Sequence, residues 1–195
     1  IEKRIRTLTV SHFGHLIGRL EMTAHFSLGW EQYLSSPVGR LSTQVNKVHP
    51  DLIILSPRNL QETFFDLFKD KLDTNLSVTL MSSYPCSKRL RTQLENKPQF
   101  KLLEGYAVTE ASGLVSTNTA QFDRAGSCGK PIHPSEVKIN SDGEILIRSD
   151  RVVSDDSQEH PNDWFRTGDF GHFDSDGFLY IRGRKKDAIV LSSGA

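Results

Sequence analysis

The alternation of apolar and polar positions on either side of Asp174-Ser175-Asp176-Gly177 restricts the fold of this chain more than any other feature. Phe170 to Phe173 and Phe178 to Arg182 read as two short strands of period two, and the residues between them read as a tight turn. Gly177 supplies the positive φ that such a turn needs. Arg166-Thr167-Gly168-Asp169 runs into the first strand and Gly183-Arg184-Lys185-Lys186-Asp187 runs out of the second. A hairpin therefore carries an acid, Asp169, and a cation, Arg184, to the same end. A carboxylate accepts from two vicinal hydroxyls and a guanidinium adds fixed donors, so the pair is suited to gripping a ribose. The same text also describes a solvated hairpin with charged ends.

Upstream the periodicity changes. Ile5 to Val10 alternates as a strand, and His12 to Leu28 has helical spacing with Phe13, Leu16, Ile17 and Leu20 on one side. Val38, Leu41, Val45 and Val48 form a second amphipathic helix, closed by Pro50. Asp51 to Ser56 is a short apolar run bounded by prolines, which predicts a buried strand. Pro57 opens a helix with Leu60, Phe64, Leu67, Phe68 and Leu72 inward. Leu76 to Met81 is a further strand, and Pro85 begins a helix that buries Leu90 and Leu94. Strands alternating with helices predict an α/β fold whose largely parallel sheet is joined by crossover helices.

Leu103-Glu104-Gly105-Tyr106-Ala107-Val108-Thr109-Glu110 reads as a strand, a glycine turn and the start of a helix. It brings together an aromatic ring for a base, a hydroxyl for a phosphate and a carboxylate for a divalent cation. Thr109 and Glu110 also satisfy the requirements of an ordinary helix cap. From Leu114 onward the strands are short: Leu114 to Asn118, Glu136 to Ile139 and Glu144 to Arg148, the last two joined by Asn140-Ser141-Asp142-Gly143. Regular hairpins predict a small antiparallel, barrel-like subdomain. The expected division is therefore 1–119 as an incomplete α/β subdomain, 120–182 as the antiparallel subdomain and 183–195 as a connecting segment.

Two stretches carry a resemblance. Trp164-Phe-Arg-Thr-Gly-Asp169, followed by Asp174-x-Asp-Gly-Phe-Leu-x-Ile-x-Gly-Arg-Lys-Lys-Asp187-x-Ile-x-x-Ser-Ser-Gly194, resembles the signature of the adenylate-forming ligases. That superfamily comprises acyl-CoA synthetases, luciferases and peptide-synthetase adenylation domains. Gly105-Tyr-Ala-Val-Thr-Glu110 with Ala111-Ser-Gly113 is similar to its central motif, in the expected order, with Ala107 where most relatives carry glycine. Gly126-Ser-Cys-Gly-Lys-Pro131 resembles a structural turn of the same family.

The resemblance implies Tyr106 against adenine, with Thr109 at the α-phosphate and Glu110 on Mg2+. It implies Asp169 and Arg184 on the ribose, and Asp187 as the hinge of a mobile C-terminal domain. Lys185 and Lys186 are expected to be solvated cations. His12, in a segment similar to the one that enters a helix beside the carboxylate pocket, and Gly105 are candidate substrate contacts. Where the family has a Gly-Gly-Ala-Pro turn against the base, this chain has Ser82-Ser83-Tyr84-Pro85. Either Tyr84 covers the adenine differently or adenine binding is weakened.

The implied activity is that of an ATP-dependent acyl-CoA synthetase. It would activate a carboxylic acid as acyl-AMP and pass it to coenzyme A or a carrier pantetheine. Lys185-Lys-Asp-Ala-Ile-Val-Leu-Ser-Ser-Gly194 is most similar to long-chain fatty acyl-CoA synthetases. The family's Ser/Thr/Gly-rich phosphate loop ending in Pro-Lys-Gly does not occur, and the lysine-bearing C-terminal domain would lie beyond Ala195. A fragment of a longer ligase, inactive in isolation, is the expectation. The alternative is a non-catalytic nucleotide-binding or scaffold relative.

Composition agrees with that class. The 195 residues carry 24 basic and 24 acidic side chains, leaving no electrostatic footprint for nucleic acid. Cys86 and Cys128 are too few for a disulfide framework, which makes a reducing, cytoplasmic setting the expectation. No apolar run approaches the roughly 20 residues that cross a bilayer.

Overall fold

The computed structural model describes residues 4–36, 40–56, 60, 76–81, 86–96, 100–153 and 164–187. The expected helix after Pro57 (apart from Leu60), the Ser82–Pro85 turn with Tyr84, and the segment beyond Asp187 lie outside the described residues. The chain divides into two compact units, 1–81 with 86–104, and 82–85 with 105–195.

In the first unit the strands are β1 (Arg6–Thr9), β2 (Glu31–Leu34), β3 (Leu52–Leu55), β4 (Leu76–Met81) and the beginning of β5 (Phe100–Val108), in the order β2-β1-β3-β4-β5. β1 pairs in parallel with β2 and β3, and β3 pairs in parallel with β4. Parallel neighbours need a crossover. The helices α1 (Leu16–Leu28) and α2 (Leu41–Val48) fall in the β1–β2 and β2–β3 connections. α1 begins at His15, whose Nδ1 accepts from Ile17 N, and ends at Gly29 in the left-handed region. In α2, Leu41 and Val45 stand one turn apart and pack with Leu8, Ile53 and Leu55 of the strands. A third helix, α3 (Lys88–Glu95), is capped by Ser87, whose Oγ accepts from Leu90 N, and buries Leu94 in the same core. β2 is not foreseen: of its four residues, which lie at the end of the strand order, Glu31 and Gln32 are partly buried and Tyr33 and Leu34 exposed, so they carry no buried alternation.

The second unit is antiparallel. The rest of β5 pairs with β6 (Gly113–Thr117), and β6 pairs with β7 (Lys130–Pro131). A separate four-stranded sheet runs β8 (Glu136–Ile139), β9 (Glu144–Arg148), β10 (Phe165–Phe173) and β11 (Leu179–Arg184), each strand antiparallel to the next. Tyr106, Val115, Cys128, Ile145, Ile147 and Leu179 meet in its core. The parallel arrangement thus covers β1 to β4, whereas β5 to β7 turn back on one another. The division at 104/105 lies upstream of the boundary expected after residue 119, because β6 and β7 pair onto the second half of β5.

The central motif is also built differently from the expectation. Gly105 is not a turn residue but lies within β5, where a Cβ would stand 2.9 Å from Leu114 Cδ1 and 3.1 Å from Ser116 O. The glycine lets β6 approach closely. Thr109 to Ser112 form the β5–β6 turn, with Ser112 at φ 56, so no helix follows for Thr109 to cap.

Candidate functional site

The C-terminal hairpin turn forms as the Asp-Ser-Asp-Gly text requires. Asp174 Oδ1 accepts from Asp176 N (3.0 Å) and Phe178 N (2.9 Å), and Gly177 sits at φ 80. Arg124 clamps the turn from outside through Asp174 (2.6 Å) and Asp176 (2.7 Å), with its guanidinium over the Phe178 ring. From the turn the register runs to Gly171 opposite Ile181, and a one-residue bulge at Arg182 then shifts it so that Asp169 stands opposite Arg184.

Asp169 is 1% exposed, and its carboxylate meets two partners. Tyr106 Oη donates to Oδ2 at 2.7 Å, and Arg184 Nε forms an ion pair with Oδ1 at 3.1 Å. Burial raises the Asp169 pKa above its ordinary value. The Tyr106 hydroxyl and the Arg184 charge oppose that shift, and the Glu110 carboxylate adds to it. Burial, and next the charge of Asp169, also push the Tyr106 hydroxyl far above the usual phenol range, so it remains a donor.

The structure thus gathers Tyr106, Glu110, Asp169 and Arg184 in the second unit. Thr109 and Glu110 are exposed on the β5–β6 turn, and Val153 N donates to the Glu110 carbonyl at 2.8 Å. Tyr106 departs from its expected place. Its ring is fully buried in the core and offers no face for adenine; as placed, it anchors Asp169. Gly105 is likewise buried between strands. His12 is exposed in the first unit, its Nδ1 accepting from Gly14 N at 2.9 Å. Asp187 is exposed in a short 3-10 turn, Lys185–Asp187. Lys185 is no free cation: its Nζ lies 3.5 Å from Asp142 Oδ2 and 3.6 Å from Glu144 Oε2.

The bulge that delivers Asp169 was not read from sequence. Between Arg166↔Leu146 and Phe170↔Glu144 the register slips, so Thr167, Gly168 and Asp169 stand opposite Ile145 alone. Thr167 Oγ1 donates to Ile145 O (2.9 Å) and accepts from Asp169 N (3.1 Å), while Gly168 turns at φ 70. Gly168 N donates to Glu144 Oε1 at 3.0 Å, and Arg166 pairs with Glu144 Oε2. Glu144 is 22 residues from Arg166 along the chain, and only strand pairing brings them together.

Among the described residues no group of three or more His, Cys, Asp or Glu could hold a metal ion by itself. Glu110 fits the alternative manner of Mg2+ binding, in which one carboxylate is completed by phosphate oxygens and waters. No helix among the described residues is long and apolar enough to cross a membrane.

Comparison with known proteins agrees with the resemblance. A family model described as AMP-binding enzyme matches residues 2–154. The long-chain-fatty-acid–CoA ligase FadD15 of Mycobacterium bovis is 38% identical over 100 residues, covering 48% of this chain and 17% of that protein. The 2-succinylbenzoate–CoA ligase of Bacillus velezensis is 31% identical over 134 residues, covering 60% of this chain and 27% of its own length. Among solved structures, O-succinylbenzoate coenzyme A synthetase (MenE) of Bacillus subtilis in complex with ATP and magnesium ion superposes with a TM-score of 0.80 at 21% identity. The match covers 99% of this chain and 44% of that one. The anthranilate CoA ligase AuaEII in complex with anthranoyl-AMP gives a TM-score of 0.82 at 18% identity, covering 98% and 41%. At those identities the likeness concerns the fold, and the chain spans less than half the length of each of these relatives. Carried by the family match over residues 2–154 and by the motifs gathered around Asp169, the chain belongs to the AMP-binding enzyme family.

Proposed function

We propose that this chain forms the nucleotide-holding part of an ATP-dependent acid–thiol ligase. The observation that carries the reading is the convergence of Asp169, Arg184, Tyr106 and Glu110 within one unit, with Thr109 on the same turn as Glu110. In the reaction, a carboxylate oxygen attacks the α-phosphorus of ATP and pyrophosphate leaves. A thiolate of coenzyme A or a carrier pantetheine then attacks the acyl carbonyl, and AMP leaves. Asp169 would accept from the ribose hydroxyls once Tyr106 or Arg184 yields an oxygen. Arg184, half exposed, would donate to the ribose from the open side. Thr109 would donate to an α-phosphate oxygen as charge develops there. Mg2+, which Glu110 would hold, neutralises phosphate charge when it is bound with ATP.

A fatty acid is the proposed substrate, supported by the text Lys185 to Gly194 and by the similarity to FadD15. An aromatic dicarboxylic acid is the second reading, favoured by the similarity to 2-succinylbenzoate ligases. Acid-dependent ATP–pyrophosphate exchange by the whole ligase of which this chain would be a part, run with palmitate and with 2-succinylbenzoate, separates them. Titration of AMP by calorimetry tests the shared premise: binding should be lost in Asp169→Ala. Unchanged AMP affinity in that variant, or no AMP binding by the wild type, would favour a non-catalytic scaffold.

A further inference from the structure

Glu144 is 2% exposed at the first position of β9, where a branched apolar residue would complete a buried strand. Instead a carboxylate sits there and gathers three partners. Oε1 accepts from Gly168 N at 3.0 Å, Oε2 pairs with Arg166, and Lys185 Nζ approaches Oε2 to 3.6 Å. Asp142 backs the cluster, with Oδ2 at 3.5 Å from both Arg166 Nη2 and Lys185 Nζ.

All of these contacts surround the segment that has left the β9–β10 ladder. Three residues opposite one forfeit regular strand hydrogen bonds, and a bulge holds one shape only if other groups replace them. Ile145 O takes Thr167 Oγ1, and the Glu144 carboxylate takes the Gly168 amide. Gly168, at φ 70 with nothing near its Cβ position, has no steric restraint of its own. The next residue is Asp169.

We propose that Glu144 is a positioning residue for the nucleotide site: its carboxylate locks the Thr167–Asp169 bulge so that Asp169 faces Tyr106 and Arg184. The proposal rests on the reading of Asp169 as the ribose contact. Glu144 touches no nucleotide. It acts through the backbone of Gly168, and Arg166 and Lys185 balance its charge.

The test uses AMP as probe, with calorimetry and amide hydrogen exchange on wild type, Glu144→Ala, Glu144→Gln and Asp169→Ala. In Glu144→Ala, AMP should bind about tenfold more weakly, since misplacing a binding group by a fraction of an ångström costs affinity. Exchange should rise over Arg166 to Phe170 while Leu179 to Ile181 stays protected. Glu144→Gln keeps an oxygen for the Gly168 amide and should stay within about threefold of wild type. If Glu144→Ala does not fold, Glu144→Asp, too short to reach Gly168, should show the same loss. Wild-type AMP affinity in Glu144→Ala or Glu144→Asp, alongside loss in Asp169→Ala, would overturn the positioning role and leave the function standing. Wild-type affinity in Asp169→Ala as well would overturn both.

Discussion

Tyr106 Oη lies 2.7 Å from Asp169 Oδ2, a hydrogen bond between fully buried side chains 63 residues apart that ties the central motif to the C-terminal hairpin. Tyr106→Phe removes the donor without removing the ring. Leaving a buried carboxylate oxygen unpaired should cost about 1–3 kcal/mol at neutral pH. Tyr106 lowers the Asp169 pKa, so the substitution raises an already elevated value further. A carboxyl whose folded pKa exceeds its unfolded one contributes stability at low pH that is lost as pH rises through the folded value. The deficit of Tyr106→Phe should therefore shrink on acidification, as Asp169 takes up its proton. Urea unfolding of both proteins at acid and neutral pH measures it, and a pH-independent deficit would contradict the linkage.

Glu21, on α1, provides a second titration in the first unit. It is 1% exposed, and neither carboxylate oxygen makes a complete hydrogen bond. Burial pushes its pKa up to about 8 from an ordinary 4.5, with the Thr9 hydroxyl opposing. The folded state holds this proton more tightly, so the stabilising contribution is full below 4.5 and is lost as pH rises through about 8. Glu21→Gln should stay neutral throughout. The urea midpoint of the variant should rise relative to wild type across that window, and parallel pH profiles would show that the carboxyl is not desolvated.

Arg91, partly buried, and Glu104, buried, form an ion pair with side chains 12% and 4% exposed, and Cys86 N adds a hydrogen bond to Glu104 Oε1 at 3.1 Å. Arg91→Ala strands a buried carboxylate and should destabilise by about 3–5 kcal/mol. Replacing both residues by leucine should cost less than the single substitution, because the desolvation penalty disappears with the charge. A double-mutant cycle in guanidinium gives the coupling; additive losses would mean that the pair is not coupled.

Gly129 and Gly126 have similar dihedrals, φ 75 and φ 81, in the turn before β7. A Cβ on Gly129 would lie 1.8 Å from the Thr117 carbonyl carbon, whereas one on Gly126 would meet nothing within 4 Å. Gly126→Ala should cost about 1 kcal/mol, the conformational term alone. Gly129→Ala must displace backbone and should cost at least about 3 kcal/mol, a drop in Tm on the order of 10 °C. Equal melting temperatures for the two variants would contradict the close approach.

The elements that announced themselves in the sequence are those whose cause is local. Asp174 to Gly177 and Asn140 to Gly143 made their turns because side-chain acceptors and left-handed glycines sit within four residues of the groups they serve. Asp169 and Arg184 came to the same end because one hairpin carries both, but a bulge at Arg182, and not the hairpin's length, sets them opposite each other. The strands β3, β8 and β9 and the helix α2 followed from apolar spacing, whereas α1 buries Ile17, Gly18 and Glu21 and leaves Phe13 outside it and exposed. β2 did not follow from it either, since a partly exposed strand at the end of the order buries no repeating face.

The nucleotide motif illustrates the other half. Gly105-Tyr106-Ala107-Val108-Thr109-Glu110 carries the family resemblance in its letters, yet from sequence its glycine reads as a turn and its threonine as a possible cap. Pairing with β6 made the glycine a strand residue and buried Tyr106 against Asp169. Sequence by itself determined the hairpins, the turn chemistry and the family, all of which depend on residues a few positions apart. Tertiary structure alone decided which charges are buried and what holds them. Tyr106 with Asp169 and Glu144 with Gly168 are pairings across 63 and 24 residues, and their strength comes from desolvation that exists only once the strands have closed around them.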